Sequence, residues 1–230
     1  MSFSRTTPPL LTGPALHAAM RSIGLRTGPL ARGAETADIE VTLASAVVSA
    51  MPHDYRLLGV IVAWLEVHHG RVNVPRLGRL LARMDASALV RAFWAAGGTW
   101  LGRTDARWRV LARTYRGVRL DLDDPEVTRV QLARVGPDPR FEGTVLRVHA
   151  KLLRSRAADV DDAVQLASRH PGYLRRVQLG PTYRADVWAA LDREPEASAA
   201  EIARRVGCAY ETARSVAEDW KTARLATSAA

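Results

Sequence analysis

The sequence predicts a mostly α-helical protein: tandem winged-helix or helix-turn-helix-like units with one short β-hairpin wing. Three observations carry that expectation. Residues 181–220 hold three helical periodicities in the spacing of a helix-turn-helix. Residues 51–118 give three helical patterns followed by two strand-like runs. The 230 residues are 47% hydrophobic with only three Phe and five Tyr, which favours Leu, Val and Ala cores in helices.

In the C-terminal pattern, Ser198 and Glu201 have the spacing of a capping box at a helix start. Ile202, Ala203 and Val206 supply the buried face, and the small Ala203 permits a close helix crossing. Gly207 falls where the chain must turn with positive φ. Ala213, Val216, Ala217 and Trp220 then repeat at i, i+3, i+4 and i+7, so a second helix packs back on the first. Tyr183 to Asp192 forms the support helix, with Val187, Trp188 and Leu191 inward.

Residues 1–34 are rich in Pro and Gly and read as an arm with a short helix near Ala15 to Ile23. The glycines of residues 24–33 lack a following GK[ST], against a phosphate-binding loop. Residues 36–50 read as a lead-in helix with Ile39, Leu43 and Val47 on one side. The next helix spans 55–69, with Leu58, Ile61, Val62 and Leu65 inward and Gly70 as its stop. Pro75 opens another, with Leu77, Leu80, Leu81 and Met84 inward. Asp85 is the expected cap of the third, which buries Leu89, Val90, Phe93 and Trp94 and ends at Gly97-Gly98. TWLGR and RWRVLAR then read as the two strands of the wing.

Residues 119–139 read as an exposed connection and a short element. Residues 142–156 read as an amphipathic helix with Val145, Val148, Leu152 and Leu153 inward, and 158–169 as a further short helix started by Asp159, Asp161 and Asp162. The expected divisions are an arm and lead-in over 1–50, a winged-helix-like domain over 51–118, a helical connector over 119–180 and a helix-turn-helix domain over 181–230.

Net charge is +9, and 31 of the 33 basic residues are Arg, so nucleic acid is the first partner the composition suggests. The four divisions carry +1, +7, +2 and −1, which puts the basic excess in the first winged-helix-like domain. In a hairpin, Trp108, Val110 and Ala112 would face inward, and Arg107, Arg109 and Arg113 outward with Arg103 across the turn, a cluster suited to phosphates. On the preceding helix only Arg91 could bond a guanine edge. In the C-terminal unit the candidates are Arg204, Arg205, Tyr210, Arg214 and Ser215, beside an outer face that also holds Glu211 and Glu218. Arg147, Lys151 and Arg154 would line one side of the 142–156 helix. That stripe suits phosphate or partner contact, or simply a solvated face.

No catalytic triad, nucleotide fingerprint or metal-ligand spacing is found, so neither catalytic residues, metal nor cofactor are expected. Asp121, Asp123 and Asp124 lack the Gly and Glu of a calcium loop. The single Cys208 excludes an internal disulfide and sits where a small core residue belongs. No apolar run reaches the ~20 residues that span a bilayer, and prolines break the N-terminal stretch, so a cytoplasmic protein without membrane contact is expected.

The stretch from Leu179 to Trp220 resembles bacterial helix-turn-helix regulators, and is similar in character to AbiE-type antitoxin-like proteins encoded beside nucleotidyltransferase toxins. The resemblance covers about a fifth of the chain. It implies a transcriptional regulator that binds duplex DNA in a defence or toxin–antitoxin operon, with a protein partner encoded nearby. A homodimer would set its recognition helices one DNA turn apart, roughly 34 Å. The alternative is a scaffold or antitoxin subunit that docks a partner protein through the same units.

Overall fold

The computed structural model describes residues 9–26, 37–51 and 53–228. These residues are mostly helical, with a single two-stranded parallel sheet among them. The Pro/Gly-rich stretches at 1–8 and 27–36, including most of the glycine-bearing loop, lie outside the described residues. Two compact units are present, one ending at Ala163 and one beginning at Val164.

The first unit is organised around a helix buried on every side. α1 (Gly13–Ser22), α3 (Tyr55–His68) and α4 (Val74–Arg83) pack on α2 (Ile39–Ala50). α2 is buried continuously from Ile39 to Val47 and again at Ala50, so it is the centre of the core and not a one-sided lead-in. Its polar side chains are satisfied internally. Glu40, fully buried, accepts from the Asn73 N–H at 2.8 Å and from Arg76 at 3.1 Å, and Arg76 also pairs with Asp38. Ser45 accepts from the Leu11 N–H at 3.0 Å. The Trp64 indole donates to the Ile23 carbonyl at 2.6 Å, and His68 Nε2 bonds the Asp161 carbonyl at 2.9 Å.

α5 (Ala88–Leu101) starts at a Ser87 cap rather than at Asp85, and it runs through Gly97 and Gly98 without stopping. The second glycine is there for proximity. A Cβ at Gly98 would sit 2.5 Å from the Ala112 nitrogen and 2.8 Å from Leu111 Cβ. What lies so close is a 3-10 helix, Ala106–Arg113, packed along α5. The expected wing is therefore absent: TWLGR includes the end of α5, and RWRVLAR is helical. With three residues per turn, the buried pair is Trp108 and Leu111, while Val110 is 54% exposed.

β1 (Leu120–Asp121) pairs in parallel with β2 (Leu146–Arg147), Leu120 opposite Leu146. Between them α6 (Pro125–Val135) is capped by Asp124, which accepts from the Glu126 and Val127 N–H groups. The amphipathic helix expected over 142–156 does not form. Gly143 takes a φ of +72°, the Thr144 hydroxyl ties the turn to Phe141 and Leu146, and the inward residues Leu146 and Val148 alternate as in a strand.

In the second unit, α7 (Ala163–Arg169) and α8 (Pro171–Leu179) precede α9 (Tyr183–Arg193), α10 (Ala199–Val206) and α11 (Tyr210–Ser228). His170 caps α8, its Nδ1 accepting from the Tyr173 N–H, and the buried Arg176 pairs with Asp186 of α9 at 2.8 Å. The Ser198–Glu201 capping box is complete, and Gly207 takes φ +74° between α10 and α11. Val187, Leu191, Ile202, Val206, Cys208, Ala213, Val216 and Trp220 form one core. The Trp220 indole donates to Asp192 at 2.8 Å. Among the described residues, no helix is long and apolar enough to cross a membrane.

Candidate nucleic-acid interface

A guanidinium is available to an external phosphate only when it is both exposed and unspent. All four wing-predicted arginines are exposed, yet three are committed within the chain. Arg103 donates to the Pro139 and Glu142 carbonyls at 3.0 and 2.8 Å. Arg107 grips Asp105 with Nε and Nη2 and also donates to the Gly70 carbonyl at 3.1 Å. Burial works to raise the Asp105 carboxyl, but the Arg107 hydrogen bonds outweigh it and hold that group below the usual range. Arg109 Nε donates to the Gly102 carbonyl at 3.0 Å, tying the 3-10 helix to the end of α5. Arg113 alone of the four has no partner among the described residues.

Two further arginines escape the hairpin expectation. Arg116 and Arg119 follow Arg113 at intervals of three, exposed and without a partner among the described residues. A sequence signal for them exists: from Ala106 to Leu120 there are five arginines and no Asp or Glu. Arg91 is exposed on α5 and likewise unpaired.

The helical stripe of Arg147, Lys151 and Arg154 is not formed, because the segment is strand and turn. Arg147 pairs across the β1–β2 register with Asp121, while Lys151 and Arg154 are exposed at separate points of a loop.

In the second unit, Tyr210 (46% exposed) and Ser215 lie in the first turns of α11 on the exposed surface. Arg214 is flanked by Glu211 at 3.2 Å and Glu218 at 3.9 Å. Arg205 pairs with Glu194 at 2.7 Å, and that contact is the main cause holding the Glu194 carboxyl below its ordinary value. Among the described residues Arg204 makes no ion pair and only a longer-range attraction to Glu201. The candidate set of this unit is thus one unpaired arginine, two arginines in exposed ion pairs, a tyrosine and a serine.

Asp123, Asp124 and Cys208 are absorbed into the architecture. Asp123 accepts from the Tyr55 hydroxyl at 2.9 Å; burial first, and this bond second, push the Tyr55 hydroxyl up to about 12. Asp124 caps α6, and Cys208 is buried in the three-helix core. Among the described residues, no group of three or more His, Cys, Asp or Glu is placed to hold a metal ion.

No protein-family model matches this chain, and neither a curated protein nor a solved structure is found to match it.

Proposed function

We propose that this chain is a non-enzymatic DNA-binding protein, a transcriptional regulator that holds duplex DNA mainly through phosphate contacts. The observation that carries the proposal is the unit formed by α9, α10 and α11. A capped helix, a left-handed glycine turn and a second helix leave Tyr210, Arg214 and Ser215 exposed at the head of α11, with Arg204 close by in sequence. The head of such a helix is the part that enters a major groove. Arg214 can exchange its glutamates for a guanine edge: an exposed ion pair is worth little, whereas a bidentate guanine contact discriminates by about 1–3 kcal/mol. The resemblance of Leu179 to Trp220 to AbiE-type regulators supports a defence or toxin–antitoxin operon as the setting.

A second reading has its own support. Glu211 and Glu218 flank Arg214 on the exposed face of α11, and carboxylates in that position suit docking of a partner protein better than close approach to phosphates. The two are separated by selecting bound sequences from a randomised duplex pool with the full chain, followed by fluorescence anisotropy on the selected site. Enrichment of one sequence, lost in the Arg214→Gln variant, supports the regulator. No measurable binding at 50 mM salt rejects it and favours the docking scaffold.

A further inference from the structure

We infer that the first unit grips nucleic-acid phosphates through the turn from Arg113 to Arg119, while Arg103, Arg107 and Arg109 serve its internal packing. This inference rests on the DNA-binding reading above and names the residues that would supply its electrostatic part.

Three observations converge on that turn. First, Arg113, Arg116 and Arg119 are exposed and have no partner among the described residues, unlike the three arginines that precede them. Second, the chain between Ala106 and Leu120 contains no carboxylate to compete for them. Third, among the described residues none of the amide N–H groups of residues 115–119 donates within the chain, so backbone donors stand beside the guanidinium groups. Guanidinium and amide donors together fit phosphate oxygens, which accept both.

The turn is also braced in advance. The Tyr115 hydroxyl donates to the Val118 carbonyl at 2.9 Å, closing a loop over Gly117. Any Cβ at Gly117 would lie 2.5 Å from that hydroxyl oxygen, so glycine is what lets the ring sit there. A braced turn loses less conformational freedom on binding than a loose one. The favoured ligand is the phosphodiester backbone of duplex DNA: the turn offers many donors and, in Val118, only one exposed large apolar side chain for a protein or lipid surface to cover.

The test is fluorescence anisotropy of the full chain on a labelled mixed-sequence 20-bp duplex between 50 and 200 mM salt. The variants are the triple Arg113→Gln/Arg116→Gln/Arg119→Gln and a control, Arg56→Gln/Arg134→Gln, which removes exposed arginines elsewhere in the unit. Loss of three phosphate contacts lowers the slope of log K against log salt by about 2.7. Over that fourfold salt range, wild type should therefore lose about 40-fold more affinity than the triple variant. Gly117→Ala should weaken binding a few-fold at unchanged slope. An unchanged slope in the triple variant, or an equal loss in the control, overturns this inference and leaves the DNA-binding reading standing. Equal competition by polyglutamate at matched charge also overturns it, in favour of an acidic protein partner. No binding by wild type at 50 mM salt overturns both.

Discussion

Adjacent glycines in α5 offer a controlled measurement of helix packing. Gly97 and Gly98 are both buried within the helix, so replacing either by alanine gains about 1 kcal/mol of helix propensity. Their surroundings differ. A Cβ at Gly97 meets nothing within 4 Å, whereas one at Gly98 meets the Ala112 nitrogen at 2.5 Å and the Leu111 carbonyl carbon at 2.9 Å. Both obstacles are backbone, so no rotamer change relieves them. The 3-10 helix must move by about 0.9 Å to restore a tolerable 3.4 Å contact. Overpacking of this kind costs about 1–3 kcal/mol, and two backbone atoms put this case near the upper end. The net expectation for Gly98→Ala is a loss of about 2 kcal/mol, or roughly 4–8 °C in the melting temperature of a unit this size. Gly97→Ala should instead gain up to about 2–4 °C. Calorimetry on the full chain distinguishes them. Equal melting temperatures for the two variants would refute the close approach of α5 and the Ala106–Arg113 helix.

Further expectations concern single groups. Glu40→Met removes the acceptor of the buried Asn73 N–H and one of the two carboxylates beside Arg76, whose pairing with Asp38 remains, so it should cost about 1–3 kcal/mol in urea denaturation. His68 is held neutral, burial outweighing its bond to the Asp161 carbonyl and lowering its pKa from 6.5. The unfolded chain therefore binds the extra proton. Stability is fully present above pH 6.5 and falls on acidification by up to about 1.4 kcal/mol per pH unit until the folded pKa is reached. His68→Gln should flatten that part of the pH–stability curve, and an unchanged curve would contradict a buried neutral imidazole. Gly207→Ala forces a left-handed φ of +74° on a residue with a Cβ in otherwise open space, for a loss of about 1–2 kcal/mol in a thermal melt.

Legibility followed the range of the forces involved. The three-helix unit could be read because its signals are local: the Ser198–Glu201 box, the Gly207 turn and the spacing from Ala213 to Trp220 each span a few residues. The missing wing could not. Trp108, Val110 and Ala112 satisfy a strand period, Trp108 and Leu111 a three-residue one, and the choice is made by packing against α5. Gly97-Gly98 carries the same ambiguity, since glycine marks both helix ends and close approaches. Over 142–156, Val145, Val148 and Leu152 have helical spacing, but the residues buried alternately are Leu146 and Val148. For the candidate interface, arginine identity was visible and arginine availability was not. The carbonyls that occupy Arg103 lie 36 and 39 residues away, and one that occupies Arg107 lies 37 away.

The burial of α2 on all sides has a consequence for synthesis. Glu40 leaves the ribosome 36 residues ahead of Arg76, which at 5–20 residues per second is a delay of about 2–7 s. Early in that interval a nearly continuous oily segment with a bare carboxylate has neither α3 nor α4 to cover it; α3 follows partway through, and α4 with Arg76 only at the end. The nascent chain thus has a vulnerable window placed early in translation, when holdase chaperones would engage it. Codon choice between residues 50 and 83 sets how long that window stays open.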